Sequence, residues 1–242
     1  MLLEEYLIEL PLLHTWDCKS WNSGGFDSFD LQSLYNFLQI HLPANPVLLE
    51  TGAGNSTIMM LFLLPEKLIS IAPDADLFER IKYFCQINGI SDVALEKYID
   101  GSQWALPKIA QDNRLSEPIL DFALIDGCHG YPTCCVDLEY INALLKQGGY
   151  LCIDDTQVHT VKEMAQFLIE SPTFSLELDM HKFLVFKKLT AERHFGEFVD
   201  QPYIIKRSNK YSRFPNPYGI RVVDRFKITE RQIRKIWSRL RR

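Results

Sequence analysis

The stretch Val47-Leu-Leu-Glu50-Thr-Gly52-Ala-Gly54-Asn-Ser56-Thr57 limits the possible folds of this chain more than any other. An apolar run ends in an acid, a Gly-x-Gly turn follows, and Ser-Thr then opens a second apolar segment, Ile58 to Leu64. That order predicts a buried strand, a tight turn and a helix N-terminus. Glycine lets the turn adopt φ values closed to residues with a Cβ, and lets a ligand lie against the main chain near the first helical N–H groups. No third glycine follows at the dinucleotide-binding offset. An acid two residues before the first glycine suits a cationic or hydroxyl-bearing ligand better than a pyrophosphate.

The same alternation continues. Strands are predicted at Leu68–Ile71, Ala94–Ile99, Leu120–Ile125, Tyr150–Ile153, Phe174–Leu178 and Phe183–Phe186. Helices are predicted from Asp30 to Ile40, Asp76 to Asn88, Trp104 to Ala110, Pro132 to Lys146 and Thr160 to Glu170. Strands alternating with helices imply an α/β fold, with a mostly parallel sheet and right-handed crossovers. The short Met180-His181 link makes the last two strands an antiparallel edge hairpin. Ligands bind such sheets at the carboxyl ends of the strands. Glu50 to Ser56, Asp74, Asp100 to Gln103, Asp126 to His129 and Asp154 to Gln157 are therefore the residues of interest.

Residues 1–45 form a lead-in with Trp16, Trp21, Phe26 and Phe29 among glycines and polar residues. It reads as a packed cap, with a lid over a cleft as the alternative. Charge divides the chain unevenly: residues 1–186 carry a balance of −16 and residues 187–242 one of +11. The segment 190–242 is thus a basic extension to an acidic body, 46–189. In it Phe195, Phe198 and Tyr203 interleave with Lys206, Arg207 and Lys210. Pro202, Pro215 and Pro217 predict irregular structure, and Thr229-x-x-Gln232 predicts a capping box for a last helix. The extension could dock on the acidic body, meet an anionic partner or form an oligomer contact. Glu4 and Glu5 stand where a secretory leader carries Lys or Arg, no apolar run reaches membrane-span length, and the six cysteines show no Cys-x-x-Cys pair. A cytoplasmic protein with reduced thiols is expected.

Four strand-end motifs in order are more specific than the glycine turn alone. They are Glu50-Thr-Gly52-Ala-Gly54-Asn-Ser56-Thr57, Asp100-Gly-Ser102, Leu124-Ile-Asp126-Gly-Cys-His129-Gly-Tyr131 and Gly148-Gly-Tyr-Leu-Cys-Ile-Asp154-Asp155-Thr156. Together they resemble the class I S-adenosylmethionine-dependent methyltransferases of the methyltransferase-24 type, and more distantly catechol-type and sugar O-methyltransferases. The resemblance covers about residues 30–188. It implies a Rossmann-like, seven-stranded, mostly parallel sheet with helices on both faces and the last strand antiparallel.

By that resemblance Glu50, Gly52, Gly54 and Ser56 line the methionine end of S-adenosylmethionine, and Asp100, Ser102 and Gln103 meet the adenine. Asp126 lies beside the sulfonium and the acceptor. The acid that usually binds the ribose hydroxyls is replaced by Ala72, with Asp74 two residues on as a substitute. The expected activity is methyl transfer to a hydroxyl of a small molecule or sugar moiety. Two alternatives stay open: a metal-independent N-methyltransferase, and a non-catalytic binding protein that keeps the fold.

A hydroxyl acceptor must lose its proton to a base or to a metal that lowers its pKa. His129 stands where catechol-type enzymes carry a lysine base, and an imidazole suits neutral pH. Asp126, Asp154 and Asp155 offer oxygen ligands for Mg²⁺, although the last two could equally cap the segment that follows. Tyr131 is expected to pack against the helix rather than orient the acceptor, and Trp104 to lie in the core rather than wall the adenine pocket. Cys128, Cys134 and Cys135 near His129 do not match zinc spacings.

Overall fold

The computed structural model describes residues 1–16, 19–21, 25–112 and 117–210. A seven-stranded sheet runs through it. Its strands are β3 (Val47–Thr51), β4 (Lys67–Ile71), β5 (Leu95–Tyr98), β6 (Leu120–Ile125), β7 (Leu145–Ile153), β8 (Phe174–Asp179) and β9 (Leu184–Lys188). They lie in the order β5-β4-β3-β6-β7-β9-β8. β3 pairs in parallel with β4 and β6, β4 with β5, and β6 with β7, whereas β9 is antiparallel to both neighbours. The final strand of the sheet is therefore the reversed one, inserted between β7 and the edge strand β8.

Alternation along each strand builds two cores. Leu48, Leu68, Phe122, Leu124 and Cys152 point to one face and Leu49, Ile69, Ala123, Ile125 and Leu151 to the other. The first face is covered by α1 (Leu3–Ile8), α2 (Ser28–His41), α3 (Asn55–Leu61) and α4 (Ala75–Ile87). The second is covered by α5 (Ser102–Asp112), α6 (Thr133–Leu144) and α7 (His159–Glu170). Both strand faces are buried, which is why these strands read as continuous apolar runs.

Several elements differ from expectation. Asp27, not Asp30, caps α2: its carboxylate accepts the Asp30 N–H at 2.8 Å. α6 ends at Leu144, because Leu145 already pairs with Leu120 and opens β7 before the Gly148-Gly149 irregularity. The lead-in is more structured than a loop, with α1 and a hairpin of β1 (His14–Trp16) and β2 (Lys19–Trp21). It is also bolted down. Tyr6 donates to Asn55 at 2.9 Å, Asn55 Nδ2 donates to the Pro11 carbonyl at 3.3 Å, and Ser28 donates to the Leu7 carbonyl at 2.7 Å.

The chain forms two compact units, Met1–Phe195 and Gly196–Arg242. In the second, Pro202 opens the helix α8 (Pro202–Lys210) rather than an irregular stretch. Proline is tolerated there because the first helical N–H groups lack intrahelical partners. The capping box expected at Thr229 lies outside the described residues. Five cysteines are free thiols, and among the described residues no helix is long and apolar enough to cross a membrane.

Candidate active site

A cleft of about 850 Å³ opens where β3, β4, β5, β6 and β7 end. Gly52, Ala53, Ala72, Asp74, Asp100, Ser102, Gln103, Asp126, His129 and Asp155 all line it. A smaller cavity continues beside the glycine turn, lined by His14, Phe26, Gly54, Asn55, Ser56 and Asp126 among others. Of the cofactor-binding residues expected from the sequence, only Glu50 lines neither.

The turn is shaped by contact with the neighbouring strand end. Gly52 has φ +88°, its N–H donates to the Ile71 carbonyl at 2.9 Å, and a Cβ there would lie 2.3 Å from the Asp126 carbonyl oxygen. No side chain fits that gap, so Gly52 lets β3 and β6 present their ends side by side.

Glu50 is fully buried behind the turn. Its carboxylate accepts hydroxyl hydrogen bonds from Ser56 (2.8 Å), Thr57 (2.5 Å) and Ser70 (2.7 Å). Burial pushes its pKa up to about 7, against the lowering effect of those three hydroxyls. The acid therefore braces the turn from inside and does not reach the cleft. Sequence reasoning missed this network because Ser70 lies on the next strand.

At the β4 end Ala72 is buried and lines the cleft. Asp74 faces the same space but already caps α4, accepting the Leu77 N–H at 3.1 Å and pairing with Arg80 at 3.0 Å. Asp100 pairs with Lys108 at 3.1 Å. Trp104, expected in the core, is 64% exposed and forms part of the cleft wall. Tyr131, also expected to pack, is 80% exposed. Position 104 is the third residue of α5 and looks into the cleft, so its indole has no core to join.

The acids at the β6 and β7 ends separate into two groups. Asp154 is fully buried, and both its oxygens meet Lys182 Nζ, at 2.6 and 2.8 Å. Burial pulls the Lys182 pKa down, but the hydrogen bond and charge of Asp154, with Asp155 and Asp126, outweigh it and leave it raised. Asp155, whose backbone is left-handed (φ +55°, a conformation aspartate tolerates better than most residues), lies between Lys182 and His129, with its Oδ1 3.5 Å from Lys182 Nζ. Its Oδ2 comes within 3.5 Å of His129 Nδ1, while His129 Nε2 lies 3.9 Å from Asp126 Oδ1. Burial, and then the Asp154 charge, hold the Asp126 carboxyl well above its ordinary pKa.

Asp126, His129 and Asp155 thus each bring one donor atom within 4.8 Å of the others. Asp154, expected in the same set, is held by Lys182 instead. His129 Nε2 is enclosed and has no hydrogen-bond partner among the described residues. An enclosed polar atom left unpaired costs on the order of 1–3 kcal/mol, so the arrangement is one that a bound group would complete. Two carboxylates and an imidazole offer a divalent cation two oxygens and a nitrogen, of which the oxygens suit Mg²⁺. Lys182 came into view only with the fold, because it lies 28 residues from Asp154.

Residues 49–156 match the model of a methyltransferase domain family. Among solved structures the chain is similar to the O-methyltransferase TomG of Streptomyces achromogenes, involved in tomaymycin synthesis and in complex with S-adenosylmethionine. That likeness has 14% identity and a TM-score of 0.56, over 69% of this chain and 82% of that one. A methyltransferase from Geobacter sulfurreducens gives 17% identity and a TM-score of 0.52, over 66% of this chain and 78% of that one. The MycE methyltransferase of the mycinamycin biosynthetic pathway, in complex with Mg, S-adenosylhomocysteine and mycinamycin VI, gives 12% identity and a TM-score of 0.50, over 69% and 51%. At these identities the likeness is one of fold. No curated protein matches the chain. Residues 49–156 therefore match the methyltransferase domain family, in a chain that has the fold of these methyltransferases.

Proposed function

We propose that the protein transfers the methyl group of S-adenosylmethionine to a hydroxyl of a small molecule or sugar moiety, with His129 as the general base. The observation that carries this reading is that His129 lines the cleft between Asp155 and Asp126, with an enclosed Nε2 that has no hydrogen-bond partner among the described residues. A neutral imidazole whose Nδ1–H faces Asp155 keeps the Nε2 lone pair for an acceptor proton. As the acceptor oxygen attacks the methyl carbon, its proton passes to Nε2, the carbon–sulfur bond breaks and the electron pair returns to sulfur. Asp155 then stabilises the imidazolium.

Charge supports the donor as well. Three aspartates, Asp126, Asp154 and Asp155, cluster around the single ammonium of Lys182. A cationic ligand such as a sulfonium would offset the burial and the Asp154 charge that hold the Asp126 carboxyl above its ordinary pKa. The O-methyltransferase TomG supplies the analogy for an oxygen acceptor. An acceptor nitrogen that is already neutral needs no base, so His129 between two carboxylates favours oxygen over the N-methyl alternative.

A second reading rests on the same three donors. Asp126, His129 and Asp155 would hold a divalent cation such as Mg²⁺, which when bound lowers the pKa of a coordinated hydroxyl. In that case His129 is a ligand and takes no proton.

Calorimetry with S-adenosylhomocysteine and a methyl-transfer screen of hydroxylated acceptors test the activity. Binding at micromolar concentration and transfer to a hydroxyl are expected, and no binding at millimolar concentration of either S-adenosylmethionine or its product would overturn it. His129→Ala should lower kcat by about 10²-fold or more, with product affinity nearly unchanged. Mn²⁺ binding followed by electron paramagnetic resonance separates the readings. Stoichiometric Mn²⁺ that His129→Ala releases favours the ligand role, and unchanged activity in chelator favours the base. Binding without turnover of any acceptor would favour the non-catalytic alternative that Ala72 raises.

A further inference from the structure

The lead-in reaches the cofactor cleft. His14, on β1, lines both the cleft and the smaller cavity behind the glycine turn, and Asp126 lines the same two spaces. The imidazole lies so close to the turn that a Cβ on Gly54 would sit 3.0 Å from its Nε2. The His14 imidazole makes no side-chain hydrogen bond among the described residues, although its neighbours are fixed. Arg80 Nε donates to the Leu13 carbonyl at 2.5 Å and the same guanidinium pairs with Asp74, which ties the start of the hairpin to α4. The acid that sequence reasoning assigned to the methionine end, Glu50, is walled off behind three hydroxyls. That end of the cleft is left with His14 as its exposed ring donor.

We propose that His14 is a binding residue for the amino-acid tail of the cofactor, donating an imidazole N–H to its carboxylate. The inference rests on the proposed use of S-adenosylmethionine. Asp126 lines both the cleft and the adjoining cavity, so a sulfonium beside it can direct the four-carbon tail into that cavity, which His14 lines. The carboxylate is the ligand's one anionic group. His14 lines that cavity and offers an N–H donor that would accommodate it. Gly54 keeps the turn flat enough for the ring to approach, so the glycine serves the lead-in as well as the ligand.

The test compares S-adenosylhomocysteine, which has the tail, with 5′-methylthioadenosine, which keeps the adenosine and thioether but lacks it. Calorimetry on the full chain measures both. His14→Phe keeps a ring against Gly54 and removes the donor. It should weaken S-adenosylhomocysteine about tenfold and leave methylthioadenosine within twofold. His14→Gln, which restores an N–H, should recover most of the loss, and Gly54→Ala should reproduce the selective loss by displacing the ring. Equal losses for the two ligands would show that His14 only props the turn and would overturn the proposal, as would no loss for either. Failure of the unsubstituted protein to bind either ligand would instead overturn the cofactor reading itself.

Discussion

At the scale of single residues, the polar groups of this protein divide into those that face the cleft and those that support it. Glu50 belongs to the second class. A carboxyl with its pKa near 7 in the folded state and about 4.5 when unfolded binds its proton more tightly folded than unfolded. Between those two values the unfolded chain ionises while the folded one stays protonated, so stability falls as pH rises through the window. The difference amounts to about 3 kcal/mol once both limits are passed. Glu50→Gln keeps an oxygen for Thr57 and Ser70 and presents its amide to Ser56, which can turn to accept. The variant should lose less stability than the unsubstituted protein between pH 5 and 7.5, read from urea unfolding at each pH. Parallel pH profiles would show that Glu50 is ionised in the folded state. His129 is the contrasting residue: its place at the cleft beside Asp126 was legible in the sequence from its offset after that acid. Its partner Asp155 was legible only as one of two adjacent acids. Which of the pair faces the cleft depends on a left-handed backbone at Asp155 and on a lysine that folding brings to Asp154, and neither is a local property.

At the scale of elements, the central sheet was legible because each parallel strand, buried on both faces, leaves a continuous apolar run, and because glycine and aspartate punctuate the strand ends. The lead-in was not. α1 is six residues long, too short for its buried Leu3, Tyr6 and Leu7 to stand out as a period. The β1–β2 hairpin is three residues on each side. What fixes them is contact across the chain. The Tyr6 ring lies 5.6 Å from Phe62 and 5.9 Å from Phe84, and its hydroxyl meets Asn55 at the head of α3. Tyr6→Phe removes the hydroxyl and leaves the packing. The expected loss is about 1 kcal/mol, or a fall in Tm of roughly 2–4 °C, because the Asn55 carbonyl and amide oxygen lose a buried donor. Differential scanning calorimetry measures it, and an unchanged Tm would mean that α1 is held by its apolar contacts alone. The fall should come with weaker S-adenosylhomocysteine binding if the lead-in holds His14 in place.

At the scale of the whole molecule, the unit Met1–Phe195 holds both hydrophobic cores, the seven-stranded sheet and every residue of the cleft. Its residues carry a net charge of −14, while Gly196–Arg242 carries +9. Two consequences follow for a fragment that ends at Phe195. It should fold, since it keeps the buried apolar surface from which a domain of this size draws its stability. It should also be more sensitive to salt than the full chain, because an acidic body without its basic segment repels itself at long range and salt screens that repulsion. The expected result is a single cooperative melt by circular dichroism, with S-adenosylhomocysteine affinity within about threefold of the full chain. Raising ionic strength from about 0.05 to 0.5 M, where the Debye length falls to a few ångströms, should raise the fragment's Tm by more than that of the full chain. A fragment that aggregates or melts without cooperativity would make the basic segment part of the folding unit. One that folds but binds tenfold more weakly would give that segment a share in the cofactor site. Equal salt dependence in the two proteins would mean that the charge of the two units acts only locally, within each.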